Sequence, residues 1–166
     1  VSLPGLHYVD NDDFAENGEL HSLALALSGV DTDVPVIVCY GDVLFKKYIV
    51  ELLRDIDAPV AVAVDTNWQE SVNRHRTADY ARCSLPYSRA AYNREVDLLE
   101  IDPQLAPAAI HGEWMGFMKI AAASLPGVRA IADEILRHDR RAKLPALLHE
   151  LIRRGQPVRA LYTTGN

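Results

Sequence analysis

Two uninterrupted apolar runs, at residues 36–40 and 60–64, stand out in the hydrophobic pattern of this chain. Asp42 follows the first run by two residues, and Asp65 directly follows the second. A run without polar alternation is typical of a strand that is buried on both faces, as in a sheet covered by helices. Cys39 lies inside the first run and is therefore expected to be a small core residue.

The rest of the chain alternates between helical and strand-like patterns. Apolar residues spaced at i, i+3, i+4 and i+7 predict amphipathic helices, and short apolar segments between turn residues predict strands. The predicted helices lie at residues 19–28, 46–57, 124–136 and 144–155, and the further strands at 96–101, 112–120 and 157–164. Residues 66–94 show no clear element, which is typical of a functional or mobile loop. The pattern predicts one α/β domain over residues 1–166.

Composition and charge exclude several classes of function. The net charge of −6 over 166 residues argues against a nucleic-acid partner. No apolar run approaches the roughly 20 residues that span a bilayer, so no membrane partner is expected. The first residues do not resemble a signal peptide, and two cysteines make no disulfide framework, so a cytoplasmic location is expected. The chain does not begin with Met, so residue 1 need not be a natural start.

Asp42 and Asp65 are the strongest candidates for chemistry. Open α/β sheets bind ligands at the carboxyl ends of their strands, where both residues are predicted to lie. Mg²⁺ prefers oxygen ligands and is usually bound by one or two carboxylates together with substrate phosphates. The pattern alone leaves open that both residues serve only as turn or cap residues, which aspartate also favours.

Other polar residues are candidates for substrate contacts. Glu113 and Trp114 are candidates for contacts to an acceptor, meaning a substrate that receives a transferred group, although tryptophan more often packs in a core. Lys119 either lies on an exposed face or reaches the pocket. Arginines in the irregular segment could hold an anion, because a guanidinium matches phosphate or phosphonate, or could simply be solvated. These arginines are Arg74, Arg76, Arg82, Arg89 and Arg94.

Several segments in order carry a family resemblance. They are the Val36–Phe45 run with Tyr-Gly-Asp-Val-Leu-Phe, then residues 62–68, 112–119 and 155–166, preceded by a segment at 17–23. Together they resemble the nucleotidyltransferase superfamily, and most closely the cytidylyltransferase domain fused to phosphoenolpyruvate phosphomutase in phosphonate biosynthesis. The resemblance spans nearly the whole chain. It implies a three-layer α/β/α fold with a mixed, mostly parallel, Rossmann-like sheet of the nucleotide-diphospho-sugar transferase type.

The resemblance also implies a reaction. The expected activity is transfer of a nucleotidyl group from CTP or another NTP to a phosphonate or phosphate acceptor, with release of pyrophosphate. Among nucleotidyl groups, CMP is the one that the resemblance favours. Asp42 matches the catalytic aspartate that binds Mg²⁺ in this family. The segment that contains Asn17 and Ser22 resembles the family's helix start, and both are expected to contact substrate. Asp65 and Arg89 are expected to do the same.

The chain departs from the family pattern at both ends. The family opens with a strand and a Gly-rich loop around the triphosphate, and its second metal-binding aspartate would follow Asn166. The expected domain is therefore incomplete, and the chain alone is expected to have weak or no activity. A sheet that lacks its first strand exposes an edge, which favours pairing with another copy. The alternative function is a non-catalytic fragment that serves as a scaffold or oligomerisation module, and fusion to a phosphomutase domain is a further expectation.

Overall fold

The computed structural model describes residues 5–70, 76–91 and 94–164. Within these ranges, six strands form one sheet and four α-helices cover it. The strands are β1 (Val36–Cys39), β2 (Val60–Asp65), β3 (Tyr80–Cys83), β4 (Leu98–Asp102), β5 (Gly112–Ile120) and β6 (Val158–Thr163). The helices are α1 (Glu19–Ser28), α2 (Lys47–Asp55), α3 (Leu125–His138) and α4 (Leu144–Arg153). Arg74 and the last two residues of the segment 155–166 lie outside the described residues.

The sheet is mixed, as predicted. Its strand order is β4-β3-β5-β2-β6, and β1 pairs with the second half of β5 beside this path. Strand β5 runs antiparallel to β1, β2 and β3, while β2 and β6 are parallel. Four of the six strands thus run in one direction, although most hydrogen-bonded pairs are antiparallel because β5 lies between strands of the opposite direction.

The helices form a layer on each face of the sheet. Alternate residues of β2 point to opposite sides, so that Val62 joins the core under α1, α3 and α4 while Ala61 joins the core under α2. The same alternation sends Met118 of β5 to the first core and Phe117 to the second. The three-layer α/β/α architecture is confirmed, and burial on both faces explains why the β2 run has no polar alternation.

Strand β1 differs from the prediction. Val36 and Val38 are only half-buried and Cys39 is exposed, so the expectation that Cys39 is a core residue is wrong. The physical reason is position in the sheet, since β1 pairs only with β5 among the described strands and its other edge is open. Strand β1, helix α2 and strand β2 follow one another along the chain, but β5 lies between β1 and β2 in the sheet.

Strand β3 lies in the segment where the sequence predicts no element. Its four residues alternate between half-buried and buried positions, and it pairs with β4 and with the beginning of β5. Asp97, the residue before β4, forms an isolated antiparallel bridge with Arg159 of β6. Among the described helices, none is long and apolar enough to cross a membrane.

Candidate active site

A cleft of about 650 Å³ opens where β1 and β2 end and β5 begins. Five carboxylates and one guanidinium line it, together with two aromatic rings. The charged residues are Glu19, Asp42, Asp65, Arg76, Asp79 and Glu113, and the rings belong to Tyr40 and Trp114. The cleft lies at the carboxyl ends of β1 and β2, where an α/β sheet binds its ligands.

Asp42 and Asp65 reach this cleft from neighbouring parts of the sheet. Asp42 is exposed in the turn after β1, and Asp65 is the half-buried last residue of β2. In the sheet, Asp65 of β2 lies opposite Glu113 of β5. The Oδ1 atom of Asp65 accepts a hydrogen bond of 2.9 Å from the backbone N–H of Asn67. Both carboxylates offer hard oxygen donors of the kind that Mg²⁺ takes. Among the described residues, no group of three or more metal-ligating side chains is close enough to hold an ion by itself.

Tyr40 connects the Asp42 turn to the rest of the fold. Its hydroxyl donates a hydrogen bond of 3.0 Å to Oε2 of Glu19 at the start of α1. Its ring packs against Trp114 with centroids 5.6 Å apart. It also lies directly over Gly116, which has a φ of +77°. Burial, followed by the charge of Glu19, raises the pKa of the Tyr40 hydroxyl, so it remains a hydrogen-bond donor throughout the neutral range.

Glu113 forms an ion pair with Arg76 inside the cleft. The two side chains differ in exposure, since Glu113 is 10% exposed and Arg76 is 58% exposed. Burial raises the pKa of Glu113, and Arg76 partly opposes this effect. Asp79 lies beside them, and its burial together with the charge of Glu19 raises its pKa as well. The cleft therefore holds carboxylates whose negative charge the folded protein destabilises.

We expect Asp79→Asn to increase the free energy of unfolding at pH 7. A carboxyl with a raised folded-state pKa holds its proton longer in the folded chain than in the unfolded chain, so its contribution to stability falls as pH rises. The gain should shrink as pH falls from the raised pKa of Asp79 towards the ordinary aspartate pKa of about 3.9, and it should vanish only well below that value, where both states are protonated. Urea unfolding between pH 4 and pH 8 measures it. Asp57→Asn, an exposed residue outside the cleft, is the control, and equal pH profiles would contradict the expectation.

Lys119 does not line this cleft. Its side chain is 7% exposed, and its Nζ donates hydrogen bonds to the carbonyl of Arg54, at 3.2 Å, and to the carbonyl of Ile56. These carbonyls lie at the end of α2, where backbone acceptors have no partner within the helix. The described contacts give Lys119 a structural role, at the opposite end of β5 from Glu113.

We therefore expect Lys119→Met to destabilise the fold by about 1–3 kcal/mol, because the two carbonyls at the end of α2 would lose the donor of their part-buried hydrogen bonds. Nucleotide and phosphate binding should remain within about twofold of wild type. Urea unfolding and a ligand titration of the same variant separate the two effects. Weakened binding at unchanged stability would instead support the substrate contact predicted from the sequence.

Three other predicted substrate contacts also lie away from the lining of the cleft. The hydroxyl of Ser22 accepts a hydrogen bond of 3.0 Å from Asn11, on an exposed face of α1. Asn17 precedes α1, and neither polar atom of its buried amide group has a hydrogen-bond partner among the residues that the structure describes. Arg89 lies in an exposed 3₁₀ turn. Asn17, Ser22 and Arg89 as substrate ligands stay predictions.

The described arginines of the irregular segment do not converge on one anion site. Arg76 lies in the cleft, whereas Arg82 on β3 pairs with Glu100 of β4 at 2.9 Å. Arg94 lines a separate cavity of about 400 Å³ beside β6, which Tyr87 and Tyr162 also line. Because the chain folds the segment around β3, residues that are close in sequence are distributed over different surfaces.

The cleft also contains residues that the sequence pattern does not predict. Tyr40 directly precedes the Gly41-Asp42 turn, so its place in the first apolar run gave a weak signal. Asp79 and Glu19 gave none, because neither lies at the end of a predicted strand. Their position depends on how β3 and α1 pack against β5 and β1.

Comparisons with known proteins bear on this arrangement. No protein-family model matches the chain, and no curated protein matches it significantly. The inositol-1-phosphate CTP transferase from T. maritima superposes with a TM-score of 0.63 at 13% identity, over 89% of this chain and 52% of that one. A UDP-glucose pyrophosphorylase in complex with UDP-glucose gives a TM-score of 0.56 at 11% identity, over 91% of this chain and 56% of that one. This chain has the fold of these nucleotidyltransferases. It spans about half the length of each.

Proposed function

We propose that this chain is a nucleotidyltransferase domain whose reaction takes place in the cleft beside Asp42. The observation that supports it most is the position of Asp42 and Asp65, which both line one cleft at the strand ends of a nucleotidyltransferase fold. The proposed reaction transfers CMP, or another nucleotidyl group, from an NTP to a phosphonate or phosphate acceptor. An acceptor oxygen attacks the α-phosphorus in line, and the bond to the leaving pyrophosphate breaks.

Mg²⁺ is the proposed cofactor. Asp42 would hold it, with Asp65 as a second oxygen donor in the same cleft and the substrate phosphates completing the coordination. When bound, the ion neutralises charge that develops on the transferred phosphoryl group. The protein itself contributes position, because Tyr40 fixes the beginning of the Asp42 turn through Glu19 and Trp114.

The direct experiment measures pyrophosphate release with Mg²⁺ and each of CTP, UTP, ATP and GTP, against a panel of phosphonates and phosphate monoesters. The chain and any longer native form of it are assayed side by side, because the chain spans only about half the length of the solved structures whose fold it shares. Release that needs both an NTP and a specific acceptor supports the proposal. A longer form that fuses the chain to a phosphomutase domain would favour a phosphonate acceptor.

The second candidate function is that of a non-catalytic scaffold that forms oligomers. The outer edge of β1, which pairs with no strand in the described part of the chain, favours it, because an unpaired strand edge can add a strand from another copy. Calorimetric titration with CTP at several Mg²⁺ concentrations distinguishes the two functions. Mg²⁺-dependent nucleotide binding supports the enzyme, while dimers that bind no nucleotide support the scaffold.

A further inference from the structure

The cleft combines many acids with a single positive side chain. Among the described residues that line it, Arg76 is the only lysine or arginine, against five carboxylates. A substrate that carries phosphate groups meets strong repulsion there unless a cation receives it. Arg76 is placed to do so, since the cleft-lining group includes no other described side chain with a permanent positive charge.

The ion pair between Arg76 and Glu113 is asymmetric. Glu113 is fixed in β5 and is nearly covered, while more than half of the Arg76 side chain is exposed. The pair joins Nη2 of Arg76 to Oε1 of Glu113. A guanidinium has five N–H donors in a planar fork, so this single contact leaves donors that can meet a second anion from the open side.

We propose that Arg76 binds a phosphoryl group of the substrate by exchanging its contact with Glu113 for phosphate oxygens. The inference rests on the proposed function, because it assumes a substrate with phosphate or phosphonate groups. A guanidinium binds such groups with two parallel hydrogen bonds, and each is stronger than a bond between neutral groups. In the absence of substrate, Glu113 holds the arginine in the cleft and competes with the anion.

This role predicts opposite effects for the two partners of the ion pair. Arg76→Gln removes the cation and should weaken phosphate binding about tenfold or more. Arg76→Lys keeps the charge without the fork and should give an intermediate affinity. Glu113→Gln removes the competing charge and should strengthen binding severalfold. If the ion pair were only structural, loss of either partner would disturb the cleft in the same direction.

The test is an NMR titration of the full chain without Mg²⁺, so that its result does not depend on turnover or on Asp42. Pyrophosphate probes the nucleotide phosphates and methylphosphonate probes the acceptor, so the two arms identify which group Arg76 receives. Arg82→Gln breaks a comparable Arg–Glu pair outside the cleft and should leave both affinities within twofold. Thermal unfolding of each variant confirms that it is folded.

Three outcomes would overturn the inference. The first is that neither anion binds the wild-type chain, and the second is that Arg76→Gln and Arg82→Gln bind equally well. The third is that Glu113→Gln weakens binding as much as Arg76→Gln. None of these depends on nucleotidyl transfer. Phosphate binding through Arg76, with no pyrophosphate release from the chain or from any longer native form of it, would leave this inference standing while contradicting the proposed function.

Discussion

Asp42→Asn is expected to reduce nucleotidyl transfer by roughly a hundredfold or more in any form of the protein that is active. The amide removes the negative charge that would attract Mg²⁺ while nearly preserving the shape of the side chain. Asp42 is exposed, so the free energy of unfolding should change by about 0.5 kcal/mol or less. Pyrophosphate release measures the effect, and Mg²⁺-dependent CTP binding by the chain should be lost in parallel.

The matched control for this substitution is Asp57→Asn. Asp57 is also exposed, but it lies before β2, at the opposite end of the strand from Asp65, and does not line the cleft. The Asp57→Asn protein should retain wild-type activity and nucleotide binding. An Asp42→Asn protein that keeps both the activity and the Mg²⁺ dependence of wild type would refute the assigned role of Asp42.

Gly116→Ala is expected to destabilise the protein by about 3 kcal/mol and to disturb the cleft. Two physical effects combine at this position. The backbone φ of +77° is unfavourable for a residue with a Cβ, at a cost of about 1–2 kcal/mol. In addition, the new Cβ would lie 2.1 Å from Cδ2 of Tyr40, so the ring must move. Movement of the ring would break its packing on Trp114 and its hydrogen bond to Glu19.

Urea unfolding tests the stability effect, and nucleotide titration tests the effect on the Asp42 turn. Gly127→Ala is a suitable control, because Gly127 lies in α3 with open space around the added Cβ. Alanine favours a helix more than glycine does, so this variant should gain up to about 1 kcal/mol. If Gly116→Ala were as stable as wild type, Tyr40 would not be held by this contact.

The sequence predicted most of the regular elements because their hydrophobic periods are strong. The β2 run and the helix α4 are clear examples, since each carries apolar residues wherever the fold buries a position. Strand β3 was missed because it has only four residues, of which Arg82 is charged. Its identity as a strand comes from pairing with β4 and β5 rather than from local preference.

The residues of the site also divide into those that the local sequence predicts and those that only the packing of the fold decides. Asp42 and Asp65 could be found from the sequence, because a carboxylate that follows a buried strand has a predictable position in an α/β sheet. Lys119 could not be assigned, because strand alternation does not tell which group its ammonium meets. The structure places that ammonium on the carbonyls at the end of α2.

The sequence by itself determined the α/β class, the main strands and helices, and the two acids at the strand ends. Each of these depends on residue periodicity or on immediate neighbours along the chain. Only the tertiary structure decided that β1 has an open edge among the described strands, that Cys39 is exposed, and that Glu113 pairs with Arg76 in the cleft. These features depend on which strands become neighbours, and contacts between residues far apart in sequence, such as that between Tyr40 and Gly116, leave no local pattern.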